Sequence, residues 1–80
     1  MMYLCELSVY AFEDGQADLS QQLIRDSYDR CLNLLHKIKG SLKANEYFEI
    51  YCDETLETFY FLNDGTQVKT YKELEKILNV

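Results

Sequence analysis

Residues 46–62, EYFEIYCDETLETFYFL, decide the fold, because two strand-forming stretches flank a short run of turn residues. The first half alternates apolar side chains with tyrosine and acidic ones, and the second half is rich in β-formers. Turn residues 53–55 separate them. We therefore predict strands over 46–53 and 56–62, joined as an antiparallel hairpin. The side chains predicted to face the core are Phe48, Ile50, Cys52, Phe59 and Phe61.

The segments before the hairpin predict a strand and a long helix. Residues 3–12 are rich in β-formers and partly alternate, and the turn residues of 13–16 follow them. Asp18 and Gln21 have capping-box spacing, and apolar side chains then recur every three or four residues. This pattern predicts a helix over 19–39 that ends at Gly40.

The segment after the hairpin predicts a short edge strand over 66–69 and a terminal helix that begins after Thr70, with Glu73 completing a second capping box. The predicted fold is therefore α+β, a single domain over 1–80 in the order β-α-β-β-(β)-α. Its antiparallel-rich sheet carries both helices on one face. In a split β-α-β topology, the strand at 56–62 would lie beside the first strand.

Composition describes a folded, soluble, acidic protein. The 80 residues are 48% hydrophobic and carry a net charge of −6. We predict no membrane span and no secretory signal, since no long apolar run occurs and no basic patch precedes an apolar stretch. Phosphate backbones and anionic membranes repel such a chain, whereas basic proteins attract it. Three widely spaced cysteines are typical of reduced side chains in a cytoplasmic protein.

Charge is sorted along the chain. Residues 1–18 carry −4 and residues 44–67 carry −6, neither with any Lys or Arg, whereas residues 19–43 carry +3 and residues 68–80 carry +1. The predicted strands therefore hold −10 and the predicted helices +4. Many cytosolic proteins are acidic simply for solubility, but sorting into two separate segments favours a dedicated surface.

The sheet face without helices is the predicted docking surface for a basic partner. Its expected side chains interleave carboxylates and hydroxyl-bearing aromatics, with no Lys or Arg, and tyrosine is enriched in binding hot spots. The competing interpretation is a solvated face of β-formers. The candidate partner-binding residues are Glu6, Glu13, Asp14, Glu46, Glu49, Tyr51, Asp53, Glu54 and Glu57.

Catalytic and metal chemistry are not predicted. His36 is the single histidine, and Cys5, Cys31 and Cys52 lack metal-ligand spacing. The carboxylate pairs lie at turns, where water solvates them, and no glycine-rich phosphate loop occurs. We expect a protein that is not an enzyme and that needs no cofactor or metal.

Small size, lack of catalytic groups and acid concentrated in the strands resemble the phage-encoded acidic DNA-mimic inhibitors, including those that block the nucleoid protein HU. The resemblance is one of character across the whole chain. It implies that carboxylates stand where DNA phosphates would, that a basic DNA-binding protein is inhibited, and that the chain acts in a host-cell cytoplasm.

Two alternatives remain open. One is an immunity- or antitoxin-like interaction module, whose tyrosine-rich face is a partner or homodimer interface. The other is direct nucleic-acid binding through the first helix, which the net charge disfavours. The basic side chains assigned to that second alternative are Arg25, Arg30, Lys37, Lys39 and Lys43.

Overall fold

Seven elements follow one another in the computed structural model, which describes residues 4–78. The strands are β1 (Cys5–Glu13), β2 (Gln16–Asp26), β3 (Glu46–Cys52), β4 (Glu57–Phe61) and β5 (Gln67–Val68), and the helices are α1 (Tyr28–Ile38) and α2 (Tyr71–Leu78). They form one sheet in the order β2-β1-β3-β4-β5, with every neighbouring pair antiparallel. The predicted α+β class, with an antiparallel sheet, is confirmed.

The β1–β2 hairpin corrects the predicted helix over 19–39. Residues 16–26 form a strand that pairs with β1 across a two-residue turn. Asp14 and Gly15 occupy that turn with φ values of 51° and 78°, the positive values that a tight hairpin turn of this kind requires. The capping-box spacing of Asp18 and Gln21 therefore does not start a helix here.

The first helix begins about two turns later than predicted. Ser27 is its N-cap, and the Ser27 hydroxyl accepts a hydrogen bond from the Arg30 amide at 3.4 Å. The predicted helix end at Gly40 agrees with the structure: Gly40 lies just beyond the C-cap residue Lys39 and has φ 90°, a left-handed conformation that glycine adopts readily. Cys31 and Leu35 are the buried side chains of α1.

One face of the sheet packs against α1. Because residues paired directly across antiparallel strands share a face, the register places Leu7, Ile50 and Phe59 together. This face and α1 form the main core cluster, whose buried members are Cys5, Leu7, Val9, Cys31, Leu35, Phe48, Ile50, Cys52 and Phe61. The inward orientation predicted for Phe59 and Phe61 is confirmed.

The second helix packs on the opposite face, which corrects the prediction that both helices share one face. Leu74 of α2 forms a buried cluster with Phe12, Tyr47 and Val68. Val68 pairs with Tyr60, and Tyr47 has the opposite parity to the core residues of β3. The physical reason is the aromatic area on this face, which α1 cannot reach and which the apolar side of α2 removes from water.

Strand adjacency also differs from the split topology predicted. The strand beside β1 is β3, with β2 on its other side, whereas β4 lies one place further out. Three predicted local features are confirmed: β3 and β4 form a hairpin, β5 is a short edge strand, and the Thr70 hydroxyl accepts a hydrogen bond from the Glu73 amide at the start of α2.

A disulfide joins β1 to β3, which corrects the prediction of three reduced cysteines. Cys5 and Cys52 are directly opposite in the register, with their Cα atoms 4.1 Å apart, and they are bonded to each other. Cys31 of α1 is a free, buried thiol that donates a hydrogen bond to the Cys5 carbonyl oxygen at 3.6 Å. All three cysteines therefore lie in one part of the core.

Candidate binding face

The sheet face opposite α1, here called the tyrosine face, carries most of the predicted docking side chains. Its members, assigned from the strand register, are Glu6, Ser8, Tyr10 and Phe12 of β1, Tyr47, Glu49 and Tyr51 of β3, and Thr58 and Tyr60 of β4. Helix α2 covers its Phe12 end through Leu74. Ser8 and Tyr47 of this face are buried as well, so its accessible surface is contributed by the partly exposed side chains around them.

Cross-strand pairing arranges the part of the face away from Phe12 in two rows. One row runs Arg25, Glu6, Tyr51 and Thr58 across β2, β1, β3 and β4. The next row runs Gln22, Ser8, Glu49 and Tyr60 across the same strands. Glu49 thus lies near the middle of the sheet, with a strand on either side.

Arg25 of β2 and Asp53, which follows β3, also belong to this face, and Arg25 partly compensates the charges of Glu6 and Asp53. One of its guanidinium nitrogens lies 3.2 Å from Glu6 Oε1, and the other bonds to Asp53 Oδ2. All three side chains are partly exposed, so these pairs contribute modestly to stability. The expectation that no basic side chain serves this surface is therefore wrong, because the strand β2 brings Arg25 to it.

A tyrosine cluster adjoins the two rows. Tyr10 stacks on Tyr47 with ring centroids 5.8 Å apart, and Tyr60 meets Tyr47 edge-on at 6.2 Å. Tyr71 of α2 lies 5.8 Å from both Tyr60 and Phe12. Tyr47 is only 1% exposed, Tyr10 and Tyr60 are half-buried, and Tyr71 is 36% exposed. The cluster therefore combines a buried centre with accessible rings.

Glu49 is the carboxylate that this cluster surrounds. Burial is the main reason that its pKa lies above the ordinary value, and the neighbouring Tyr10 hydroxyl opposes part of that rise. Burial also raises the pKa of Tyr10 and of Tyr60, and the charge of Glu49 adds to both effects. Among residues 4–78 no salt bridge reaches Glu49, so its charge is compensated by no cation of the described chain.

The remaining candidates are distributed around the sheet. Glu46 and Glu57 are in register with Ala11 and Cys52, on the α1 side. The Glu46 carboxylate accepts hydrogen bonds from the Lys43 amide at 2.8 Å and from the Ser20 hydroxyl at 3.4 Å. Glu13, Asp14 and Glu54 lie at the hairpin turns. The structure therefore gathers Glu6, Glu49, Tyr51 and Asp53 on one face and separates the other five from them.

Arg25 and Tyr71 are the participants that sequence reasoning did not place here. The helical pattern of residues 19–39 places Arg25 in a helix, whereas the structure has it in β2. The Asp14-Gly15 pair, which is typical of a tight hairpin turn, is the sequence feature that predicts a strand there instead. Tyr71 lies in the predicted terminal helix, and a prediction that puts both helices on one face of the sheet does not bring it to Tyr60.

The strand regions remain acidic and the helical regions basic when the observed element boundaries replace the predicted ones. Residues 5–26 and 46–68, which contain all five strands, hold eleven acidic side chains and one basic one. Residues 28–45 and 69–78, which contain both helices, hold three acidic and seven basic side chains. The strand regions therefore still carry −10 and the helical regions +4.

Other kinds of site find no support in the described range. Between residues 4 and 78 no group of three or more His, Cys, Asp or Glu side chains is placed to hold a metal ion. Neither helix in that range has the length and apolar character needed to cross a membrane. No family model matches this chain, and no curated protein or solved structure is detectably similar to it.

Proposed function

We propose that this protein is a non-enzymatic binding module that docks a basic DNA-binding protein on its tyrosine face and competes there with nucleic acid. The observation that carries the proposal is the combination on one surface of carboxylates with accessible tyrosine rings, within strand regions of net charge −10. A nucleoid-associated protein is the kind of partner we favour, because its DNA-binding surface is rich in Lys and Arg.

Charge provides the attraction and tyrosine provides the contact area. A basic DNA-binding surface holds labile counterions, and an acidic face displaces them much as DNA does. Tyrosine adds rigid apolar area with a polar tip, which suits a hot spot at the centre of an interface. Glu49 supplies charge at that centre, whereas Glu6 and Asp53 share the charge of Arg25.

The proposal is tested by competition on DNA, with the nucleoid protein HU as the basic probe. HU retards a short duplex in a gel, and we expect this protein to release the duplex as its concentration rises. The inhibition should weaken as salt increases, because exposed charges are screened over about 8 Å at physiological ionic strength. Retardation of the duplex by this protein alone would overturn the proposal.

Matched charge reversals locate the surface. Glu49→Lys and Glu57→Lys change the net charge equally, but Glu49 lies on the tyrosine face and Glu57 on the other. We expect Glu49→Lys to abolish inhibition and Glu57→Lys to retain most of it, with circular dichroism confirming that both variants fold. Equal loss in the two variants would contradict docking at this face and favour general electrostatic attraction.

A homodimer is the second candidate, and the open edge of β2 favours it. Within residues 4–78 this 11-residue strand pairs only with β1, it carries neither Lys nor Pro, and its Leu19 is 58% exposed. The edge of a sheet presents unpaired N–H and C=O groups to which another strand can add. Sedimentation at micromolar concentration should then show a dimer that Leu19→Lys dissociates and Leu56→Lys, at another exposed leucine, does not. A purely 9.5 kDa species would exclude this candidate.

A further inference from the structure

The carboxylates of the tyrosine face differ in how well their charge is compensated. Glu6 and Asp53 both contact the guanidinium of Arg25. Glu49 is half-buried and makes no ion pair within residues 4–78. Partial burial makes an uncompensated charge costly. A cation brought by a partner would therefore gain more at Glu49 than at the already paired positions.

The side chains around Glu49 are suited to holding such a cation. Tyr60 is its direct cross-strand neighbour, and Tyr10 lies diagonally across on β1. Both rings are half-buried, so each keeps an accessible part, while the buried Tyr47 holds them in place through its stacked and edge-on contacts. A cation over the face of a tyrosine ring is attracted to it, and the attraction is stronger when water is excluded.

We propose that Glu49, Tyr10 and Tyr60 form a receptor for a single arginine side chain of the partner, an assignment that rests on the proposed function. The guanidinium bonds to the Glu49 carboxylate and lies against the tyrosine rings. Burial keeps the pKa of Glu49 above its ordinary value while the receptor is empty, and a bound guanidinium lowers that pKa.

Arginine fits this receptor better than lysine does. Its planar guanidinium stacks on aromatic rings and offers parallel N–H donors to a carboxylate, and it is more weakly hydrated than an ammonium group. Weaker hydration matters because the receptor is half-buried, so the incoming group loses part of its water. We therefore expect an arginine peptide to bind several-fold more tightly than the matching lysine peptide.

The test uses the tripeptide acetyl-Gly-Arg-Gly-amide as the probe, with its neutral citrulline counterpart as the control. In NMR titrations at low salt, we expect amide shifts centred on Ser8, Glu49 and Tyr60 with the arginine peptide and none with the citrulline peptide. The pKa of Glu49, followed through its side-chain carboxyl carbon, should fall when the arginine peptide is present.

Two variants that each remove one negative charge distinguish specific binding at Glu49 from non-specific electrostatic attraction. Glu49→Gln should weaken binding of the arginine peptide by about tenfold or more, since a charge-assisted bond is lost. Glu57→Gln, which removes the same charge from the opposite side of the sheet, should bind it as the original protein does. Equal shifts at all carboxylates, or binding retained in Glu49→Gln, would overturn the receptor.

The outcomes of this test and of the HU competition are independent. If the peptide binds at Glu49 while HU keeps its DNA, the arginine receptor stands and the proposed function fails. If this protein displaces DNA from HU and Glu49→Gln does so equally well, the proposed function stands and the receptor fails.

Discussion

At the scale of single residues, Glu49 is the side chain whose environment opposes its charge. Since folding raises its pKa, the protonated form is favoured by the fold. The difference between the pKa values of the folded and unfolded states adds to the free energy of unfolding. This contribution is fully present below the ordinary pKa of Glu49, near 4.5, and is lost as pH rises through the higher pKa of the folded state. Ionised Glu49 therefore makes the free protein less stable at neutral pH than a neutral side chain would.

Glu49→Gln is accordingly expected to raise the free energy of unfolding at pH 7. The gain should shrink as pH falls, because the original carboxyl then becomes protonated too. Urea denaturation at several pH values measures this. The exposed control Glu57→Gln should change stability by less than about 0.5 kcal/mol throughout. A loss of stability in Glu49→Gln at pH 7 would mean that the ionised carboxylate has a stabilising partner.

At the scale of elements, the β1–β2 hairpin depends on a two-residue turn. Gly15 has φ 78°, and a Cβ there would meet nothing within 4 Å, so any cost of a side chain is a backbone cost. Gly15→Ala should therefore lower the free energy of unfolding by about 1–2 kcal/mol. Asp14→Asn should stay within about 0.5 kcal/mol, since asparagine tolerates positive φ well. Thermal unfolding of the two variants measures both effects. If Gly15→Ala had the same free energy of unfolding as the original protein, the result would argue against this turn.

The same hairpin shows how far the sequence could predict the elements. The β3–β4 hairpin, β5 and α2 were predictable because alternation, turn residues and a capping box all agree there. In residues 16–26 the signals conflict: Asp18 and Gln21 imitate a helix start, whereas Asp14-Gly15 indicates a tight hairpin. The hairpin prevails because it gives an 11-residue strand its hydrogen bonds along β1 and still buries Leu23 and Ile24 against the core.

The sequence predicts which strand side chains share a face of the sheet, but not which other elements lie next to that face. Alternation placed Glu6, Glu49, Tyr51 and Asp53 together, since side-chain direction in a strand has a period of two. The positions of Arg25 and α2 depend on long-range pairing, which a local pattern does not contain. For this reason the predicted face was more open and more negative than the one observed.

At the scale of the whole molecule, the disulfide is the main covalent constraint on the unfolded chain. Cys5 and Cys52 are 47 residues apart, and closing a loop of that length stabilises a protein by about 4 kcal/mol in the chain-entropy account. Reduction should therefore lower the urea midpoint markedly. The double variant Cys5→Ala with Cys52→Ala should show the lower midpoint and no response to reductant. A midpoint that reductant leaves unchanged in the original protein would contradict a role for this bond in stability.

The covalent ring from Cys5 to Cys52 also sets how the chain responds to tension between its ends. While the bond is intact, only the residues outside the ring can lengthen, chiefly residues 53–80, which extend to about 100 Å. After reduction all 80 residues contribute, and the contour length rises to about 280 Å. In single-molecule stretching, β4, β5 and α2 would therefore detach as a short first step, with β1 to β3 released only once a reductant has opened the ring.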